Sequence, residues 1–158
     1  MDAYVAEHGT LPPGTDAPDI EFVRLDNDRK MNLRDLRGTV VVLDFWATSC
    51  GPCQQPLARL QTLRQQHPDW KDRVAIVPLS IDDTIAAVRD HLERRQWTNT
   101  FNVWSGEGGW NSTPAQTFHV TGVPVTYIID GGGRIIKAGH PMALDISGEV
   151  ETLLKTAK

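Results

Sequence analysis

Two cysteines, Cys50 and Cys53, stand three residues apart, and the chain has no others. Thiols at this spacing can cycle between a dithiol and a disulfide. The thiolate is the reactive form, and the free amide N–H groups and dipole of a helix N-terminus favour it. The run Val40–Trp46 reads as a strand that delivers Cys50 to the first turn of the next helix. Cys50 is therefore expected to be the low-pKa nucleophile and Cys53, one turn deeper, the resolving thiol. Gly51 lets a partner's backbone approach closely, and Pro52 is tolerated because a first-turn N–H needs no partner.

Other readings of the pair lead elsewhere. A purely structural bridge would close so small a loop that it hardly constrains the unfolded chain. A structural zinc site needs four ligands. His8, His67, His91, His119 and His140 are scattered, with none three or four residues from another. Two spectator thiols, or half of a metal site completed by a second chain, are further alternatives. The redox dithiol is favoured over all of these, with no metal and no cofactor beyond a Cys50–Cys53 disulfide.

The elements that must hold the pair follow from the apolar pattern. The chain has 158 residues, the size of one domain that folds without disulfide or metal support. Lys and Arg number 16 against 20 Asp and Glu, a net charge of −4, which argues against nucleic acid or an anionic membrane as the main partner. The apolar run 40–43 is far short of the roughly 20 residues that span a bilayer, and residues 1–10 show no signal peptide. Residues 1–18, with three prolines between Thr10 and Pro18, read as an extended arm or linker, and 19–158 as the domain. A β-hairpin is expected over Ile20–Leu33, then strand 40–46 and a helix from about Cys50 to His67, capped by Thr48 or Ser49. Strand 74–81 leads to a helix 84–96 capped by Asp82 and Asp83. A short strand 101–104, a glycine-rich loop, a short helix at Pro114–His119, strands 125–129 and 134–138, and a last helix capped by Ser147 complete the order. This is an α/β pattern: a central mixed sheet flanked by helices, with an N-terminal hairpin arm.

Phe45-Trp46-Ala47-Thr48-Ser49-Cys50-Gly51-Pro52-Cys53 resembles the active-site motif of the thioredoxin superfamily. Gly122-Val123-Pro124-Val125-Thr126 is similar to its cis-proline loop, and Gly131–Arg134 followed by Ile135 to the hairpin after it. The arm PPGTDAPDIEF and the phrase VVLDFWATSCGPC resemble TlpA/ResA-type thiol–disulfide oxidoreductases of the redoxin/AhpC-TSA branch, over about residues 12–157. The resemblance implies a thioredoxin-like fold in which Cys50 attacks a substrate disulfide and Cys53 resolves the mixed disulfide. It implies that Pro124 is cis and packs against the pair, and that Val123 offers its backbone to a substrate chain. Trp46, Ser49, Gly51 and Pro52 complete the expected substrate-facing surface. Asp44 matches the buried carboxylate that exchanges protons with Cys53.

Some positions depart from the pattern. Ser49 stands where thioredoxins carry an exposed tryptophan. Pro56 replaces a frequent glutamate, and Pro78 stands where some thioredoxins place a lysine beside the aspartate. Asp44 would then depend on Cys53 and water alone. Trp97, Trp104 and Trp110 are assigned to core and loop packing.

Gly-Pro between the cysteines points to a reductant of protein disulfides, resupplied by an upstream electron donor. A peroxiredoxin-type thiol peroxidase is disfavoured, because the threonine it wants three residues before the cysteine is Ala47. A copper-chaperone-like or interaction domain is the alternative from another class. Such copper sites use cysteines four apart plus a histidine. Protein thiols and disulfides are the expected partners and a monomer the expected state. The resemblance implies an extracytoplasmic place, periplasmic or membrane-anchored.

Overall fold

The computed structural model describes residues 2–156. Strand β1 (Glu21–Arg24) pairs antiparallel with β2 (Lys30–Asn32). Strand β3 (Val40–Trp46) leads into helix α2 (Gly51–Gln66), followed by β4 (Val74–Ser80), α3 (Ile85–Arg95) and β5 (Val103–Trp104). A short helix α4 (Thr113–Thr117), strands β6 (Val125–Ile129) and β7 (Ile135–Gly139), and helix α5 (Ile146–Thr156) complete the chain. The seven strands form one mixed sheet in the order β2-β1-β5-β4-β3-β6-β7. β3 runs parallel to β4 and antiparallel to β6, so it lies near the centre with a layer of side chains on each face.

All seven residues of β3 are buried. Strand side chains alternate between faces, and the two cores divide accordingly. Val41, Leu43 and Phe45 pack with Phe118, Tyr127 and the N-terminal segment. Val40, Val42 and Trp46 pack with Cys53, Leu57 and Leu60 of α2, Val88 and Leu92 of α3, and Val150 of α5. Full burial of each large apolar side chain contributes about 1.5–3 kcal/mol, so β3 is among the last places where the sheet could open.

The N-terminal segment is not extended throughout. Asp2–His8 forms a helix, α1, in which the rings of Tyr4 and His8 stack 3.9 Å apart across one turn and Val5 meets the core. Ala, Glu and Val suit that turn better than the proline-rich stretch after it. Residues 10–17 lie along the sheet but turn at Pro13–Gly14, where Gly14 has a positive φ; Leu11 is buried and donates its N–H to the Tyr127 hydroxyl. Gly14, Thr15 and Ala17 exchange backbone hydrogen bonds with Gly133 and Ile135. The arm is thus part of the folded unit.

The helix caps differ from expectation. Cys50 itself is the first flanking residue of α2, with no side-chain cap, while the Thr48 hydroxyl donates to Asp82. Thr84, not Asp82 or Asp83, caps α3 by accepting from Ala87 N–H. Asp145, not Ser147, accepts from Gly148 N–H at the start of α5.

Candidate active site

The chain leaves β3 at Trp46 and turns through 47–49 so that Cys50 sits at the N-terminal end of α2. Cys50 and Cys53 are joined in a disulfide with their Cα atoms 5.3 Å apart. Cys50 is half-buried and Cys53 wholly buried. Of the two, only the outer cysteine is open to a partner. Ser49, Gly51 and Pro52 are exposed around it. The Val123–Pro124 peptide bond is cis; Cys50 Sγ lies 3.7 Å from the Val123 carbonyl oxygen, and Pro124 is buried. A groove of about 460 Å³ runs past Cys50 between Ser49, Asp83, Trp110, Gly122 and Val123.

Trp46 does not belong to that surface. It is 1% exposed, because its even position on β3 turns it toward α2 and α3, where it packs 5.6 Å from the His91 ring. Trp110, assigned by sequence to packing, is instead 49% exposed and stands at the groove. The glycines around it gave the signal: a polar loop leaves its tryptophan little to pack against.

Asp44 shares the α2 face of β3 with Val42 and Trp46 and is completely buried. Its Oδ1 accepts a hydrogen bond of 2.8 Å from Thr126 Oγ1, its neighbour across the β3–β6 pairing. Its other oxygen has no protein partner. Burial pushes its pKa up to about 7, and the Thr126 bond only partly offsets this. Pro78 stands opposite on β4 and brings no charge. The expectation that Asp44 relies on Cys53 and water alone is corrected by Thr126, which the motif Gly122–Thr126 had already placed in view.

The turn carrying Cys50 is anchored from two sides. Asp82 accepts from Thr48 N–H, from the Thr48 hydroxyl at 2.6 Å and from the Ser80 hydroxyl at 2.5 Å. On the other side the Gln54 amide donates to the Cys50 carbonyl at 2.8 Å and reaches the Thr48 carbonyl at 3.5 Å. At the far end of α2, His67 stacks on Trp70 and lies 3.6 Å from Asp69 and 3.5 Å from Glu151. This titratable cluster is tied to α5 and takes no part in the site.

A central mixed sheet whose third strand feeds a Cys-Gly-Pro-Cys helix start, facing a cis-proline, defines the thioredoxin class of redox folds. The thioredoxin-like family model matches residues 38–135, and the chain belongs to that family. It is 29% identical to the thiol-disulfide oxidoreductase ResA of Bacillus cereus, over 85% of this chain and 73% of that one. It is 31% identical to the thioredoxin-like protein YneN of Bacillus subtilis, over 84% and 74% of the two chains. Among solved structures, it is similar to the thioredoxin domain of a thiol-disulfide oxidoreductase from Bacteroides vulgatus, with a TM-score of 0.74 at 20% identity over 94% of this chain and 99% of that one. A thiol-disulfide oxidoreductase from Bacteroides fragilis gives a TM-score of 0.72 at 19% identity, over 88% and 99%. These structures establish the fold; the ResA and YneN matches place the chain among ResA-like members. No helix among the described residues is long and apolar enough to cross a membrane.

Proposed function

We infer that this chain is a thiol–disulfide oxidoreductase acting on protein disulfides, and that its net direction is reduction. The observation that carries the reading is the half-open Cys50 sulfur, bridged to a buried Cys53 and facing the Val123 carbonyl beside a cis-proline. In the reduced enzyme, the Cys50 thiolate attacks one sulfur of a substrate disulfide. A mixed disulfide forms and the first substrate thiolate leaves, taking a proton. Cys53 then gives up its proton, attacks Cys50 Sγ and releases the second substrate thiolate. Two electrons and two protons pass to the substrate, and the enzyme is left with the Cys50–Cys53 disulfide. An upstream dithiol donor returns it to the reduced state.

Val123 supplies a backbone carbonyl to which a substrate chain can pair as an added strand. Asp44, with a pKa near neutrality, is suited to take the Cys53 proton when ionised and to give one back when neutral. Similarity to ResA supports an extracytoplasmic place of action, and a monomer accommodates all of these steps.

The test is trapping. Cys53→Ser should accumulate mixed disulfides through Cys50, and Cys50→Ser should accumulate none. Wild type should reduce insulin disulfides in the presence of a small dithiol. Equal trapping by both variants, or no turnover by wild type, would sink the reading.

A further inference from the structure

Gln54 has more to hold than the cysteine turn. Its Nε2 faces the Cys50 and Thr48 carbonyls, so its Oε1 must face the other way, and there it lies 2.7 Å from His91 Nε2. A carbonyl oxygen can only accept. His91 Nε2 therefore carries the hydrogen, which fixes the orientation of the Gln54 amide.

His91 is itself held. It sits on α3 with 9% of its surface exposed, its ring 5.6 Å from Trp46 and 5.8 Å from Trp97. Burial lowers its pKa, Arg95 and Arg94 add to that and Asp82 and Asp90 oppose it, and the balance favours the neutral ring. A neutral imidazole hydrogen-bonded through Nε2 still donates. The contact thus survives without placing a positive charge at the site.

Resting on the reading of Cys50 as the attacking thiol, we propose that His91 is a positioning residue for it. Through Gln54, His91 keeps two amide hydrogens aimed at the carbonyls of Thr48 and Cys50. Both carbonyls belong to the turn that carries Cys50, so the positive end of the Gln54 amide is fixed on that residue's own backbone. An amide donor there offsets part of the carbonyls' negative potential and so favours the thiolate. If the amide were free to flip, its own oxygen would face the two carbonyls and repel them. The positioning residue and the helix terminus then act in the same direction, from different elements of the fold.

The experiment is a double-mutant cycle read on the Cys50 pKa, measured in the reduced protein by pH-dependent alkylation. Gln54→Met should raise that pKa by about half a unit, seen as about threefold slower alkylation below the pKa, because only the thiolate reacts. His91→Phe should move it in the same direction by a smaller step. The double variant should be no worse than Gln54→Met alone, since both changes act through one amide. His91→Gln, which can offer an amide N–H to Gln54 Oε1, should restore the wild-type value. The proposal is overturned if His91→Phe leaves the pKa unmoved, if the two effects add, or if His91→Gln behaves like His91→Phe. Should His91→Phe fail to fold, His91→Gln against His91→Leu decides by the same criterion. Alkylation needs no turnover, so its outcome is independent of the insulin assay that tests the function.

Discussion

Two carboxylates stand near the cysteine turn, and the fold treats them oppositely. Asp82, at the tip of β4, is half-exposed and takes the Thr48 N–H, shared between its two oxygens, and the hydroxyls of Thr48 and Ser80. Asp44, in the middle of β3, is wholly buried and takes one, with its second oxygen bare. A carboxylate saturated with donors is a fixture: its charge is spread over bonds that hold a loop. One left short of donors in an apolar core holds its proton tightly and can exchange it. The contrast sets an anchor at Asp82 beside the proton-transfer role proposed for Asp44.

The largest test of that division is Asp44→Asn. An amide cannot exchange the Cys53 proton, so reduction of a substrate disulfide near pH 7 should slow about 100-fold, the lower end for lost general acid–base assistance. The inflection near pH 7 in the rate profile should vanish. An unchanged profile would remove Asp44 from the mechanism.

The same variant should separate from wild type in stability. The folded pKa of Asp44 is raised to about 7, above the unfolded value of about 3.9. Between these values the native state binds more protons than the unfolded state, so wild-type stability falls with rising pH through this window. Relative to Asp44→Asn, wild type should lose about 3 kcal/mol from pH 4 to pH 7 and almost nothing further above pH 8. Urea denaturation of both proteins at several pH values reads the difference directly.

Asp82→Asn should behave as a broken anchor. It should cost about 1–3 kcal/mol in stability and slow turnover less than tenfold, while the rate inflection near pH 7 persists. Loss of that inflection would mean the two carboxylates share a role. The smallest effect is expected of Thr126→Val, which keeps volume and removes the single bond to Asp44. Because that bond lowers the Asp44 pKa, the inflection should move to higher pH, by less than about one unit.

Much of this was legible before any coordinates. The strands at 40–46, 74–80 and 125–129 follow from apolar runs that only a central sheet accommodates, and the cysteine pair from its spacing. The face of Trp46 was not legible, because a strand buried on both sides shows no alternation between polar and apolar residues. The caps at Thr84 and Asp145 were missed by one or two residues, since several neighbours could have served. The helix at Asp2–His8 lay beside a proline-rich stretch whose extended character was carried too far. The pairs Asp44–Thr126 and Gln54–His91 join residues 82 and 37 positions apart; strand register and helix packing make them, and neither is written in local sequence.

The register that sets Thr126 against Asp44 also starts β6 one residue after the cis bond at Val123–Pro124. A partner chain that paired along Val123, as proposed, would adjoin the strand whose hydroxyl holds the buried acid. Linkage is reciprocal: a substrate that stretches the Thr126 contact tightens the proton on Asp44, and protonation of Asp44 strengthens binding of that substrate by the same factor. Substrate affinity should carry a pH dependence centred near neutrality, even for a substrate with no titratable group of its own. The strand would then be a two-way gauge, reporting occupancy to the acid and acidity to the docking loop.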